Sequence, residues 1–284
     1  MMDNNFKILS VNCQGLGDSK KRKDVFSYLR QKQCNIYCLQ DTHFTPKLET
    51  YIRSEWGFDC YFNSYMSNSR GIAILFNNNF EYKVLNKYQD DKGNLLALDL
   101  TIESNRLSLV TLYGPNTDKP IFYEKVRKTL DNFGNDKIVI CGDFNLVLDP
   151  DLDYDNYIHI NNPNARNKLI EIIQNKGLID IFRDLHEDKR KYTWRKRNPI
   201  KQARLDFFLI SDNLLPCINN STIEPSYRSD HNSVILQLKF NDFIKGKGLW
   251  KFNNSLLYNK DYVKLIKKKK SHFRPTDPSY FLHY

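Results

Sequence analysis

Oxygen-bearing side chains and one histidine border six separate apolar segments of this chain. They are Asn12 in SVNCQGLG, Asp41 in YCLQDTHF, Tyr113 and Asn116 in VTLYGPN, Asp143 and Asn145 in IVICGDFN, Asp206 in ARLDFFLIS, and Asp230 with His231 in YRSDHNSVIL. A single carboxylate at the end of a strand commonly has a structural role. Six such placements by accident are improbable, so the pattern predicts that these side chains converge on one site.

The residue types in this set suggest a particular chemistry. Carboxylate and amide oxygens suit Mg²⁺ or Mn²⁺, whereas zinc is disfavoured because the sequence lacks a cluster of cysteines and histidines. Hydrolysis of a phosphodiester needs a nucleophilic water and stabilisation of the charge on the phosphate and the leaving group. A histidine beside an aspartate can transfer a proton or bind phosphate. The set therefore predicts metal-dependent phosphodiester hydrolysis.

Short strands and helices alternate along the chain and would position these residues. Apolar runs predict strands at Phe6–Asn12, Ile36–Thr42, Gly71–Phe76, Leu95–Ile102, Leu107–Tyr113, Ile138–Cys141, Leu205–Ile210 and Val234–Phe240. Helical spacing of apolar residues predicts helices at Arg22–Lys32, Ile121–Phe133 and Asn164–Lys176, the last with a stripe of Leu169, Ile170 and Ile173 and a capping Gly177. The mixture of hairpin-length and helical connections indicates mixed sheets covered by helices.

Composition is that of a folded chain with a distinct end. The 284 residues are 40% hydrophobic and 13% aromatic, which is enough for a core, and no run approaches the length of a membrane span. Residues 1–10 lack the apolar run of a secretory signal, and the six cysteines show no CxxC spacing, so we expect buried, reduced thiols. The composition changes near residue 240, which predicts a folded domain at 1–240 and a basic connector with a truncated or disordered tail at 241–284.

The charge of the chain points to a polyanionic partner. The net charge is +10 and the isoelectric point is near 9.1. Nine Lys or Arg against three acids lie between Arg183 and Arg204, and this stretch predicts nucleic-acid contacts by Trp194, Arg195, Lys196 and Arg197. A solvated basic face, with Trp194 as a half-buried support, is the alternative. Arg70 in NSRGIAIL is a further candidate phosphate contact, for which a packing role is equally open.

The ordered motifs NCQG, QDTH, SRGIAIL, LYGPN, GDFN, RLDFFLIS and SDH strongly resemble the endonuclease/exonuclease/phosphatase superfamily, also called DNase I-like, over about residues 5–240. TWRKRNPIKQARLDFFLIS and GLWKFNNSLL are similar to the apurinic endonuclease-type domain of non-LTR (LINE-type) retrotransposon proteins and its connector. The resemblance implies an α/β fold, a four-layer α/β sandwich of two packed mixed β-sheets flanked by helices, with the site at one edge.

The resemblance also implies a role for each site residue. The catalytic set is Tyr113, Asp143, Asn145, Asp206 and His231, and the metal-binding set is Asn12, Asp41, Asp143, Asn145, Asp230 and His231. The DNA-binding set joins Asn116, beside Tyr113, to the candidates taken from the charge pattern and the loops, which are Arg70, Trp194, Arg195, Lys196 and Arg197. Asp143 would position or deprotonate the attacking water, and Asp206 would orient His231. The general base and the number of metal ions stay open at this point.

Two positions depart from the family pattern. Position 41 is usually glutamate, and Asp41 is one methylene shorter. Apurinic endonucleases of the family often carry an acid where this chain has Gln14, which lowers the local negative charge. His43, two residues after Asp41, is read as a surface or supporting residue rather than a ligand.

The resulting functional prediction is a divalent-metal-dependent endonuclease that nicks target DNA, as in retrotransposition. The alternatives are an apurinic/apyrimidinic-site repair endonuclease, an exonuclease III-like 3′–5′ exonuclease, and an inactive nucleic-acid-binding remnant. The expected cofactor is Mg²⁺, with Mn²⁺ as a substitute, and the expected partner is DNA. We expect no membrane association, no small-molecule organic cofactor, a monomer, and action inside the cell in the nucleus.

Overall fold

Residues 5–78, 80–102, 104–156, 162–240 and 263–264 are the part of the chain that the structure, a computed structural model, describes. The chain divides into two units, Met1–Asn241 and Asp242–Tyr284. All elements named below belong to the first unit. The predicted domain at 1–240 stays a prediction, and the predicted connector and tail lie outside the described residues except for positions 263–264.

Five α-helices and fifteen strands lie within the described residues. The helices are α1 (Ser19–Gln31), α2 (Glu49–Trp56), α3 (Pro120–Phe133), α4 (Pro163–Lys176) and α5 (Ile181–Leu185). The strands are β1 (Asn5–Asn12), β2 (Ile36–Gln40), β3 (Cys60–Asn63), β4 (Ile72–Phe76), β5 (Tyr82–Gln89), β6 (Leu95–Ile102), β7 (Asn105–Tyr113), β8 (Ile138–Asp143), β9 (Tyr154–Asp155), β10 (Leu178–Asp180), β11 (Trp194–Lys196), β12 (Lys201–Ala203), β13 (Asp206–Ser211), β14 (Ile218–Glu224) and β15 (Ser233–Lys239).

The strands form two large mixed sheets and one small one. The first sheet has the order β14-β15-β1-β2-β4-β3, and the second has the order β10-β13-β8-β7-β6-β5. In each sheet one pair is parallel, β1 with β2 and β7 with β8, and a helix connects the two strands of that pair. The other pairs are antiparallel, and a three-stranded sheet is ordered β11-β12-β9.

Alternation of side chains along the central strands produces four layers. In β1, Ile8 packs in the core between the two large sheets, while Leu9 packs with Phe26 of α1 and Trp56 of α2. In the second sheet, one face of β8 joins the same central core, and its other face packs against α3 and α4. Each fully buried aliphatic side chain contributes about 1.5–3 kcal/mol through burial. The predicted four-layer α/β sandwich of two mixed sheets flanked by helices is confirmed.

Local predictions were right in element type and wrong at several boundaries. Strand β2 ends at Gln40 rather than at Thr42, and β8 continues to Asp143 rather than stopping at Cys141. The buried residues of α4 are Ala165, Leu169 and Ile172, with Ile173 half-buried beside them, so the apolar stripe runs through Ile172 rather than Ile170. The edge or short strands β3, β5, β9 to β12 and β14, and helices α2 and α5, were not predicted, since short or polar segments lack a clear period.

Two observations concern the predictions about the cysteines and about membrane spans. All six cysteines are buried and none forms a disulfide. Among the described residues, no helix combines the length and the apolar character needed to cross a bilayer.

Candidate active site

The parallel strand pairs place four candidate residues at one edge of the sandwich. In the first sheet, Asn12 at the end of β1 pairs with Gln40, directly before Asp41. In the second sheet, Tyr113 at the end of β7 pairs with Asp143 at the end of β8. Because parallel strands end at the same edge, each pair delivers two polar side chains to one place.

The antiparallel neighbours bring in the remaining members from the opposite chain direction. Asp206 begins β13 and lies directly across from Asp143 in the ladder. His231 lies just before β15, which runs antiparallel to β1, so the start of β15 meets the end of β1. Strand ends and strand starts therefore meet at the same edge, as the sequence pattern predicted.

His231 and Asp206 form a buried pair. Nδ1 of His231 lies 2.8 Å from Oδ2 of Asp206, and the two side chains are 7% and 0% exposed. Burial of the imidazole lowers its pKa, but the carboxylates of Asp206 and Asp143 outweigh burial and raise the pKa of His231 to about 10. The imidazole is therefore held as a cation at neutral pH.

Asp143 lies at the centre of the cluster and is buried. Its Oδ2 accepts a hydrogen bond from Nδ2 of Asn12 at 2.9 Å and lies 3.8 Å from Nε2 of His231. Its Oδ1 accepts from the backbone N–H of Asn145 at 2.9 Å. Burial and the carboxylate of Asp206 raise the pKa of Asp143 to about 7, although His231 and Asn12 oppose the rise. This carboxyl can exchange a proton near neutral pH.

Tyr113 and Asn145 lie beside Asp143 at the same edge. Nδ2 of Asn145 donates to the carbonyl of Gly114 at 2.7 Å, and the Asn145 side chain also bonds to Tyr113. Burial, together with the carboxylates of Asp41 and Asp143, raises the pKa of Tyr113 well above its usual value. The phenol thus stays protonated and can donate a hydrogen bond, with Asp41 and Asp143 both close to it.

Asp41 lies beyond the end of β2 in a left-handed conformation, with φ of 50°. Its Oδ1 accepts a hydrogen bond from the backbone N–H of Arg70 at 2.8 Å and lies 3.1 Å from Nε2 of His43. The guanidinium of Arg70 stacks over Tyr65 at 5.1 Å from the ring centroid. In this structure Arg70 therefore contacts the site through its backbone rather than through its charge.

Asp230 connects the site to the basic hairpin β11–β12. Its Oδ2 accepts from Nε1 of Trp194 at 3.0 Å, its carbonyl accepts from the N–H of Arg195, and its Oδ1 lies 3.9 Å from Nε2 of His231. Trp194 is half-buried, whereas Arg195, Lys196 and Arg197 are exposed. Asn116 is also exposed, on the loop after β7, and no hydrogen bond joins it to another candidate within the described ranges.

Two supporting residues were missed by the sequence analysis. Oγ1 of buried Thr193 accepts from the backbone N–H groups of Leu205 and Asp206 at 2.9 and 3.0 Å, which fixes the start of β13. Arg204 is buried and bonds to the carboxylates of Asp153 and Asp180. The RLD motif placed Arg204 two residues before Asp206, but nothing in the sequence showed which acids would surround it.

Comparisons with known proteins give a family match and two curated relatives. A family model described as Endonuclease/Exonuclease/phosphatase family matches residues 9–231. The chain is 29% identical over 265 residues to the Transposon TX1 uncharacterized 149 kDa protein of Xenopus laevis, covering 92% of this chain and 20% of that protein. It is 28% identical over 265 residues to the DNA repair nuclease APEX1 of Danio rerio, covering 82% of each.

A solved structure shares the fold. The AP endonuclease LMAP from Leishmania major matches with a TM-score of 0.72 at 18% identity, covering 84% of this chain and 88% of that chain. The family match confirms the superfamily resemblance. The predicted branch within it, the retrotransposon type, agrees with the presence of a transposon protein among the relatives. The chain spans only a fifth of that transposon protein's length.

Proposed function

The chain belongs to the Endonuclease/Exonuclease/phosphatase family, and from this premise we propose that it is a divalent-metal-dependent endonuclease that hydrolyses DNA phosphodiester bonds. The observation that carries the proposal is one continuous buried cluster. Asn12 donates to Asp143, Asp143 faces His231, and His231 pairs with Asp206. These groups come from both sheets, and general packing of a sandwich does not require them to meet.

The donor set fits a hard divalent cation. Asp143, Asp206 and His231 offer ligand atoms within 4.8 Å of one another, and Oδ1 of Asp206 is buried without a hydrogen-bond partner. The other side chains proposed to hold the cation at this edge are Asn12, Asp41, Asn145 and Asp230, which join Asp143 and offer oxygen atoms only. His231, which the resemblance also places in the metal-binding set, is protonated at neutral pH and has no free lone pair, so we assign it to the phosphate instead. A set of oxygen ligands favours Mg²⁺, with Mn²⁺ as a substitute. A bound cation would neutralise charge on the phosphate and on the leaving oxygen.

The protein groups divide the proton chemistry between them. Asp143, with a pKa of about 7, accepts a proton from the attacking water. His231, with a pKa of about 10, is already protonated at neutral pH, so it cannot be the base and instead stabilises the negative phosphate oxygens. Asp206 fixes the imidazole through Nδ1, which directs Nε2 toward Asp143 and the phosphate.

Tyr113 and Asn145 hold the phosphate from the other side. The protonated hydroxyl of Tyr113 donates a hydrogen bond to the phosphate oxygens whose charge grows during attack. The amide of Asn145 donates to the carbonyl of Gly114 and bonds to Tyr113, so it contacts the phosphate by exchanging one of these partners. Asn116, on the loop that follows Tyr113, is proposed as a contact to DNA beside the scissile phosphate. All of these groups come from one chain, so we propose that the monomer is active.

DNA is the proposed partner, and the hairpin β11–β12 is the surface proposed to bind it. The exposed Arg195, Lys196 and Arg197 lie on this hairpin, whose first residue, Trp194, bonds to Asp230 of the site. Contacts to phosphates give affinity, and the shape of the groove gives preference. Arg70 is proposed to reach DNA only by leaving Tyr65. Action on chromosomal DNA would require the nucleus.

The test uses the purified full chain and two kinds of DNA. Conversion of supercoiled plasmid to the nicked circle should require Mg²⁺ or Mn²⁺ and should stop with EDTA. A duplex with one abasic site and a matched intact AT-rich duplex then separate the two activities that the relatives suggest. Preference for intact DNA supports transposon-type nicking, whereas strong abasic preference would establish the repair activity of the APEX1 relative instead. Binding of DNA without any cleavage would support the remaining alternative, an inactive nucleic-acid-binding remnant.

A further inference from the structure

We propose that His43 is a positioning residue that fixes the carboxylate of Asp41 for binding the divalent cation. The inference rests on the proposed function, because it assigns Asp41 to the metal-binding set. His43 itself is not proposed as a ligand. Its role is to hold a short acid in one orientation at the edge of the cluster.

One oxygen of Asp41 is held from two sides. The ring nitrogen Nε2 of His43 donates to Oδ1 of Asp41 at 3.1 Å, and the backbone N–H of Arg70 donates to the same oxygen at 2.8 Å. The side chains of His43 and Asp41 are 22% and 15% exposed, so water competes weakly for these bonds. Both bonds engage Oδ1, which leaves Oδ2 as the oxygen for a cation.

The imidazole of His43 is itself confined by the loop that follows Asn12. A Cβ atom on Gly15 would lie 2.7 Å from Nδ1 and 3.1 Å from Cε1 of His43, and Gly15 has φ of 79°, so only glycine fits beneath the ring. The N–H of Gly15 donates to the backbone carbonyl of Asp41 at 2.7 Å. The ring therefore lies between the loop that carries Asn12 and the carboxylate of Asp41.

Confinement matters because of the length and backbone of Asp41. Asp41 and His43 both have left-handed backbones, with φ of 50° and 58°, which turn the chain sharply after β2. A short carboxylate on such a turn reaches the site from few rotamers. Fixing it before the cation arrives removes the ordering cost from the binding step, and losing such a supporting partner typically weakens metal affinity about 10- to 100-fold.

The experiment measures Mn²⁺ binding to the full chain by electron paramagnetic resonance, without DNA. The variants are His43→Ala, His43→Gln, Asp41→Asn and, as a control, Lys47→Ala at an exposed position in the short 3-10 helix Pro46–Leu48 that follows the loop. We expect His43→Ala to weaken binding about 10- to 100-fold. His43→Gln, whose amide nitrogen can replace Nε2 as donor, should bind within about threefold of the wild type, and Lys47→Ala should bind as the wild type does.

A second readout separates positioning from folding. In plasmid nicking, His43→Ala should raise the Mg²⁺ concentration for half-maximal rate while leaving the rate at saturating Mg²⁺ within a few-fold of the wild type. If Asp41→Asn loses Mn²⁺ but His43→Ala binds as the wild type does, the role of His43 is overturned while the proposed function stands. If Asp41→Asn binds Mn²⁺ like the wild type, Asp41 is no ligand and the inference fails with that assignment. Failure of His43→Gln to restore binding also overturns it.

Discussion

Nδ1 of His231 and Oδ2 of Asp206 are 2.8 Å apart, although His231 precedes β15 of the first sheet and Asp206 begins β13 of the second. The bond fixes the rotation of the imidazole and leaves Nε2 facing Asp143. Thr193 secures the Asp206 end of this pair by accepting hydrogen bonds from the backbone N–H groups of Leu205 and Asp206. The two halves of the sandwich are thus joined at the point where the chemistry is proposed to occur.

Replacing Asp206 should test this orientation. We expect Asp206→Asn to lower kcat for nicking by about 10²- to 10⁴-fold, because the amide cannot stabilise the imidazolium. DNA affinity should change little, since Asp206 is buried and does not face solvent. Single-turnover cleavage and fluorescence anisotropy measure the two quantities. A variant that loses affinity but keeps its cleavage rate would show that Asp206 serves binding instead.

The raised pKa of Asp143 predicts a pH dependence of stability in metal-free protein. The folded-state pKa, about 7, exceeds the ordinary value of 3.8, so the folded state holds the proton more tightly. The stability from this proton is fully present below pH 3.8 and is lost as the pH rises through about 7. Each pKa unit corresponds to about 1.4 kcal/mol.

Asp143→Asn isolates this contribution because asparagine does not titrate. The free energy of unfolding of the variant, measured with urea in EDTA, should increase relative to that of the wild type as the pH rises from 3.8 to about 7. The range below pH 6.5, the ordinary pKa of histidine, excludes the contribution of His231. A difference between the two proteins that stays constant, or that shrinks with rising pH, contradicts the assignment.

Arg204 should be essential to the fold around Asp206. Its guanidinium is 1% exposed and bonds to the carboxylates of Asp153 and Asp180, so Arg204→Met leaves two acids short of a partner. We expect a loss of about 3–5 kcal/mol in the free energy of unfolding by urea. The partly exposed Arg127, paired with Glu124 on α3, is the control, and Arg127→Ala should cost less than about 1 kcal/mol. Equal losses in the two variants would contradict the prediction.

The hairpin prediction concerns binding rather than cleavage. The double variant Arg195→Ala/Arg197→Ala should bind DNA more weakly and should flatten the dependence of log K on log salt by about 0.9 for each phosphate that the protein no longer neutralises. The matched control is Lys83→Ala/Lys87→Ala, which removes the same charge from exposed positions on the edge strand β5. If both double variants lower the slope equally, net charge rather than the hairpin governs binding.

Apolar periodicity predicted the parts of the fold that are buried on both faces. Strands such as β8 were recognisable because Ile138, Val139 and Ile140 face either the central core or the outer helices. The edge strand β5 alternates exposed and half-buried side chains around a bulge, and its pattern is too polar to stand out. The position of β5 is set by its pairing with β6, which is a tertiary contact rather than a local sequence pattern.

The sequence predicted which residues meet in the candidate site, but it did not predict the hydrogen bonds and contacts that hold them there. Motif order identified Asp143, Asp206 and His231, and the strand register explains why they meet. The bond from Trp194 to Asp230 and the contact between His43 and Gly15 depend on how loops turn after their strands. Left-handed backbones at Asp41 and His43 set those turns, and sequence spacing carries little information about them.

The proposed roles of Asp143 and His231 are tested by Mg²⁺-dependent nicking of supercoiled plasmid with the wild type, Asp143→Ala and His231→Ala at matched protein concentration. We expect the wild type to nick the plasmid and EDTA to abolish nicking. Each variant should be slower by at least about 10²-fold, because it loses the proton acceptor Asp143 or the protonated His231. Equal nicking by all three proteins would contradict these roles, because the activity would then come from elsewhere.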